Sequence, residues 1–118
     1  MSKFRFEDLE IWKLAIEILD MCMEISEKLE KLHLYRFAEQ LRAAGLSISN
    51  NIAEGSGSNY YKEFKLFLKY SRRSSFEVAN IVIYLIHKKM ISENWREKLI
   101  DKLEIFSKKN ITFQRTLR

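Results

Sequence analysis

Apolar residues recur at intervals of three and four along almost the whole chain, which is the spacing of helix faces rather than of strands. From Glu7 to Leu29 one stripe holds Leu9, Trp12, Ile16, Leu19 and Met23, and a second holds Ile11, Ala15, Ile18, Cys22, Ile25 and Leu29. Glu10, Lys13, Glu17, Asp20, Glu24 and Glu27 form the charged remainder. Two adjacent apolar stripes are wider than one bundle neighbour requires. Such a helix either sits deep in a bundle or packs on another subunit as well.

A second helix is expected over Leu34 to Glu54, with Phe37, Leu41, Ala44, Ile48 and Ile52 inward. Its middle is rich in small residues (Ala43, Ala44, Gly45, Ser47). Glycine inside a helix costs about 1 kcal/mol relative to alanine, so Gly45 points to close approach of another backbone. The third helix, Tyr60 to Lys88, has its seam at Phe64, Phe67, Ser71, Ser74, Val78, Val82 and Leu85. Its two seam serines imply a tight crossing, expected to face the small patch of the second helix. Ser92 is a suitable N-cap for a fourth helix, with Glu93 in its first turn. That helix is expected to run to about residue 115, with Trp95, Leu99, Leu103 and Phe106 inward. The short links favour antiparallel neighbours. The pattern therefore predicts an all-α chain folded as one antiparallel up-down-up-down four-helix bundle over residues 1–118.

Composition agrees with this pattern. There is no proline, and 47% of the 118 residues are apolar against 31% charged, which excludes a disordered or membrane-embedded chain. The longest apolar-dominated run, Val78 to Ile86, is about half of a bilayer crossing. The opening MSKFRFEDLEIW lacks the order of a signal peptide, and a lone cysteine, Cys22, allows no internal disulfide. A cytoplasmic protein without membrane contact is the expectation.

Charge changes the picture more. Residues 1–59 carry seven Lys/Arg against ten Asp/Glu, whereas residues 60–118 carry fourteen against six. Either a polyanionic partner or attraction between acidic and basic helices, within or between copies, accounts for this asymmetry. Within the basic half, Lys62, Lys65, Lys69 and Arg72 share one helix face, with Arg73 beside them. Tyr61 and Tyr70 lie close enough to stack on bases, and Lys108, Lys109, Arg115 and Arg118 are candidate extensions. Such a stripe suits a phosphate backbone; the plainer alternatives are a solvated lysine face and a subunit contact with the acidic first helix. No sequence-reading helix-turn-helix or RNP motif accompanies it.

Catalytic chemistry finds less support. In EGSGSNYYKEF the glycines invite a phosphate-loop reading, but no Lys-Ser/Thr follows them, a third glycine is missing, and a helix precedes them. The segment reads instead as a hairpin corner, with Gly55 at the helix C′ position at positive φ and Ser58 or Asn59 capping the next helix. His33 and His87 lack metal-ligand spacing, and Cys22 falls in an apolar stripe, so no metal, cofactor or catalytic residue is expected. Arg42, Asn51, Glu54 and Glu77 are candidates for a structural polar network, with Glu77 close to the seam of the third helix.

FEDLEIWKLA (Phe6 to Ala15), QLRAAGLSISNNIAEGSG (Gln40 to Gly57), KEFKLFL (Lys62 to Leu68) and RRSSFE (Arg72 to Glu77) follow one another in this order. Together they resemble the four-helix bundle proteins encoded by intervening sequences in bacterial large-subunit rRNA genes. The resemblance implies a homopentamer with a central channel, a role in binding RNA or DNA, and no enzymatic activity. It also places Arg42, Asn51, Glu54 and Glu77 in helix packing. Related bundles serve as accessory factors to reverse transcriptases, so a scaffold docking such a protein partner is the alternative function. The chain departs from the family's usual pattern at Ser49, where proline is common, at Ser58 and Asn59, where arginines are common, and at Arg73, where a small residue is usual.

Overall fold

The computed structural model describes all 118 residues. A 3₁₀ turn over Arg5–Asp8 precedes four helices: α1 (Glu10–Lys31), α2 (Tyr35–Ser56), α3 (Tyr61–His87) and α4 (Asp101–Thr116), the last entered through a π-helical turn at Arg96–Ile100. α2 packs against both α1 and α3, and α4 closes the remaining corner against both. The result is an antiparallel four-helix bundle measuring 45 × 28 × 22 Å. No helix is long and apolar enough to cross a membrane.

The core is one cluster of 23 buried apolar residues drawn from all four helices. Of the two stripes on α1, the one holding Ile11, Ala15, Ile18, Cys22, Ile25 and Leu29 is buried throughout. The other flanks the core: Leu9, Trp12, Ile16 and Leu19 are half-buried, and Met23 is exposed. α3 buries Leu68, Ser75, Ile81 and Ile86 beside the expected Phe64, Ser71, Val78, Val82 and Leu85, while Phe67 and Ser74 sit at its edge. Burial pushes the Cys22 thiol up to about 12, so it stays protonated and unreactive.

Small residues bring α2 close to both neighbours. A Cβ on Gly45 would lie 3.0 Å from Cβ and Sγ of Cys22 on α1. Toward α3, the Ser71 hydroxyl donates to the Ile48 carbonyl at 2.7 Å, and the Ser47 and Ser74 hydroxyls pair at 2.8 Å. The small patch of α2 therefore faces two ways, with its glycine toward α1 and its serine toward α3.

Gly55 differs from expectation. No glycine in the chain has positive φ. Gly55 lies inside α2, buried, and a Cβ there would come within 2.7 Å of Phe67 Cβ and 2.9 Å of Phe64 Cδ1. It is glycine because the phenylalanines of α3 pack on its backbone. The corner itself begins at Gly57, and neither Ser58 nor Asn59 is the cap of α3: Tyr60 occupies that position, its N–H donating to Ser58 Oγ at 3.1 Å.

Left-handed backbone appears instead at His33 (φ 64°) and Lys89 (φ 59°). At the end of α1, Leu34 N–H donates to Leu29 O at 2.8 Å and His33 N–H to Glu30 O at 2.9 Å. At the end of α3, Met90 N–H donates to Leu85 O and Lys89 N–H to Ile86 O, both at 2.9 Å. Both are Schellman closures with a side chain where glycine is usual. The expected N-cap at Ser92 also shifts: Ser92 Oγ accepts from Asn94 N–H at 3.1 Å within a turn, and helix begins only at Arg96.

Two substitutions separate these glycine arguments. Gly55→Ala is expected to destabilise by about 1–3 kcal/mol through overpacking against Phe64 and Phe67. Lys89→Gly is expected to stabilise by about 1 kcal/mol by removing the left-handed penalty. Urea unfolding checks both, and a neutral Gly55→Ala would refute the close approach.

Candidate nucleic-acid interface

The cationic stripe of α3 lies on its outer flank, on the side toward α4. Lys62, Lys69 and Arg73 are exposed, Lys65 and Arg72 half-buried. None of the five forms an ion pair with a carboxylate, whereas Lys102 pairs with Glu17 at 3.0 Å and Lys109 with Glu10 at 2.6 Å. Lys108 pairs with Glu104 at 3.2 Å on its own helix. The acidic face of α1 thus meets lysines of α4, and the α3 stripe keeps its charge unmatched. Of the candidate extensions, Lys108 and Lys109 are engaged, while Arg115 and Arg118 are exposed and without ion pairs.

Lys69, Arg72 and Arg73 converge with Ile111 and Gln114 of α4 around a cleft of about 310 Å³. Arg72 is held in place: its Nε donates to Ser107 Oγ at 2.9 Å, and its guanidinium lies 4.8 Å from the centre of the Phe76 ring. Its two terminal nitrogens have no acceptor within the chain. Arg73 sits 6.0 Å from the Tyr70 ring centre. α4 is positioned by buried Asn110, whose amide donates to Leu68 O at 3.1 Å and whose oxygen accepts from Gln114 Nε2 at 2.7 Å. Arg72 also joins the cleft to a second groove of about 400 Å³, because Ser107 lines that groove along with Phe76, Ala79, Asn80, Ile83 and Leu103.

Sequence periodicity placed Lys62, Lys65, Lys69 and Arg72 on one helix face with Arg73 beside them, but missed the α4 half of the cleft. Ser107, Ile111 and Gln114 are spaced four and three apart, so they share a face. Nothing within α4 says that this face meets α3. Phe76 was legible as the residue four positions after Arg72, the spacing at which helix side chains meet.

The four candidates for a polar network are not brought together within the chain. Arg42 grips Glu30 on α1 through both terminal nitrogens, at 2.7 and 2.9 Å. Asn51 donates to Ser47 O at 2.8 Å and Ser47 Oγ at 3.0 Å. Glu54 and Glu77 are exposed, and neither carboxylate has a hydrogen bond or ion pair within the chain. Glu77 therefore lies outside the α3 seam, whose next inward position is Val78. The fork geometry leaves Arg42 Nε buried without an acceptor.

A family model described as 23S rRNA-intervening sequence protein matches residues 7–112. The chain belongs to this family. A search of curated proteins and of solved structures finds no match. The match runs from the turn before α1 to the last turns of α4, so it takes in every residue of the cleft except Gln114.

The Arg42–Glu30 pair carries a pH prediction. The hydrogen bond from Arg42 holds the Glu30 carboxyl below its ordinary range. A lowered folded-state pKa adds stability above the unfolded pKa, and that increment is lost as pH falls through the folded value. Arg42→Gln is therefore expected to reduce stability at neutral pH, with the difference from the parent shrinking in acid. Urea midpoints across the carboxylate range check this, and a pH-independent difference would contradict it.

Proposed function

We propose that this intervening sequence protein is a non-enzymatic, self-associating bundle that binds nucleic acid along the cationic flank of α3. The observation that carries the proposal is the cleft of Lys69, Arg72 and Arg73, three cations without a carboxylate partner. Lys62 and Lys65 continue the flank toward the start of α3, over roughly 16 Å from Lys62 to Arg73 at 1.5 Å per residue. Phosphate contacts of this kind give affinity without base-specific readout. The resemblance to intervening-sequence proteins, which implies a role in binding RNA or DNA, favours the same partner.

Self-association is part of the same reading, with a pentamer implied by the family resemblance. Leu66, Tyr70 and Tyr84 on α3 and Leu46 on α2 are exposed, and an oligomer would cover such residues. A second reading, docking of a protein partner such as a reverse transcriptase, is favoured by the mostly apolar groove between α1 and α2. Leu19, Met23, Ala43 and Leu46 line it.

The test of the primary reading is salt-dependent binding of an RNA and a DNA oligonucleotide. Replacing Lys69, Arg72 and Arg73 together by Gln is expected to flatten the slope of log K against log salt by about 2 to 3. Replacing Lys108 and Lys109, which already hold carboxylates, is expected to change it far less. Absence of binding at low salt, or equal loss in both variants, would overturn the reading.

A further inference from the structure

The proposed binding flank has two compartments of different chemistry, and their junction says more than the charge does. One is the cationic cleft of Lys69, Arg72 and Arg73. The other is the adjoining groove between α3 and α4, walled mainly by the apolar side chains of Phe76, Ala79, Ile83 and Leu103. The bond from Arg72 Nε to Ser107 Oγ lies at their boundary, since Arg72 lines the first and Ser107 the second. Duplex nucleic acid presents phosphates on its outside and keeps its base faces stacked inside, so a duplex would use the cleft and leave the groove empty. A single strand offers a phosphate and an unstacked base side by side.

We propose that the groove receives one unpaired base while the adjacent cleft holds its phosphate, so that the preferred ligand is single-stranded nucleic acid. The proposal rests on the reading of the α3 flank as a nucleic-acid interface and specifies the form of that ligand. Phe76 is the stacking platform. Phe76 is 56% exposed although Arg72 lies 4.8 Å from its ring centre, so the guanidinium does not cover the side chain and leaves it open to a base. Arg72 thereby serves both compartments: its guanidinium backs the aromatic ring, Nε is anchored on Ser107, and the terminal nitrogens are free for a phosphate oxygen. Asn80, exposed on the groove wall, supplies an amide that can donate to and accept from a base edge. The one carboxylate on the groove, Glu104, is bound by Lys108 at 3.2 Å, which reduces its repulsion of a strand. A groove of 400 Å³ falls within the range of small-molecule sites, roughly 300–1,000 Å³.

The experiment compares three probes by fluorescence anisotropy at one salt concentration: a mixed-sequence single strand, its blunt duplex, and the same single strand with several abasic positions. It is run with RNA and with DNA. The intact single strand is expected to bind about tenfold more tightly than the duplex and the abasic strand, the order expected for stacking one base. Phe76→Ala is expected to remove that preference, costing the intact single strand about tenfold and the duplex and abasic strand much less, since Arg72 keeps its anchor on Ser107 when the ring is lost. Ile83→Glu, which places a carboxylate in the groove, is expected to act in the same direction. Retained duplex binding shows that each variant is folded. If single strand, abasic strand and duplex bind alike, or Phe76→Ala affects all three equally, the base-groove proposal is overturned and phosphate binding stands. If no probe binds, both the groove proposal and the nucleic-acid reading fail.

Discussion

Close approach of α2 to both of its neighbours is the constraint from which the rest of the bundle follows. At Gly45 the backbone of α2 meets Cys22 of α1, and at Gly55 it meets Phe64 and Phe67 of α3. Hydroxyls tie the α2–α3 crossing where a larger side chain would separate the helices, most clearly from Ser71 to the Ile48 carbonyl. With α2 packed closely on both sides, α1 and α3 stand diagonally apart and a fourth corner remains. α4 fills it, anchored by Asn110 on the Leu68 carbonyl, and so comes to border the charged flanks of both α1 and α3.

The two borders of α4 are electrostatically unlike. Toward α1 it offers Lys102 and Lys109, which meet Glu17 and Glu10. Toward α3 it offers Ser107, Ile111 and Gln114, none of which can neutralise Lys69, Arg72 or Arg73. The sequence asymmetry between an acidic first half and a basic second half therefore resolves into two parts. Attraction within the chain accounts for lysines of α4. The cations of α3 are left over, close to exposed aromatic rings, and they give the flank its character.

Most of the architecture was legible in the periodicity. Helix number, direction and nearly every core position follow from apolar spacing, because helices longer than twenty residues state their inward face many times over. The errors fall where a local rule has two physical causes. Gly55 looked like a helix terminator, but the glycine was needed for space rather than for positive φ, and a sequence does not separate the two. His33 and Lys89 take the left-handed positions instead, held by Schellman hydrogen bonds that no residue type advertises. Arg42 and Glu77 were grouped by chemistry, yet Arg42 turns to Glu30 on α1, and Glu77 falls one position outside the seam. The α3 half of the candidate interface was readable from its spacing of cations. The α4 half required knowing which helix closes the bundle.

The central claim is that nucleic acid meets this protein on the α3–α4 flank and not elsewhere on its basic surface. Backbone amide chemical shifts, followed while a short single-stranded RNA is added, report the contact surface directly. The account predicts the largest shifts at Lys69, Arg72, Arg73, Phe76 and Gln114, with α1 and the first turns of α2 undisturbed. Shifts centred on Lys28, Lys31 and Arg36 at the α1–α2 corner, with the α3–α4 flank silent, would contradict it.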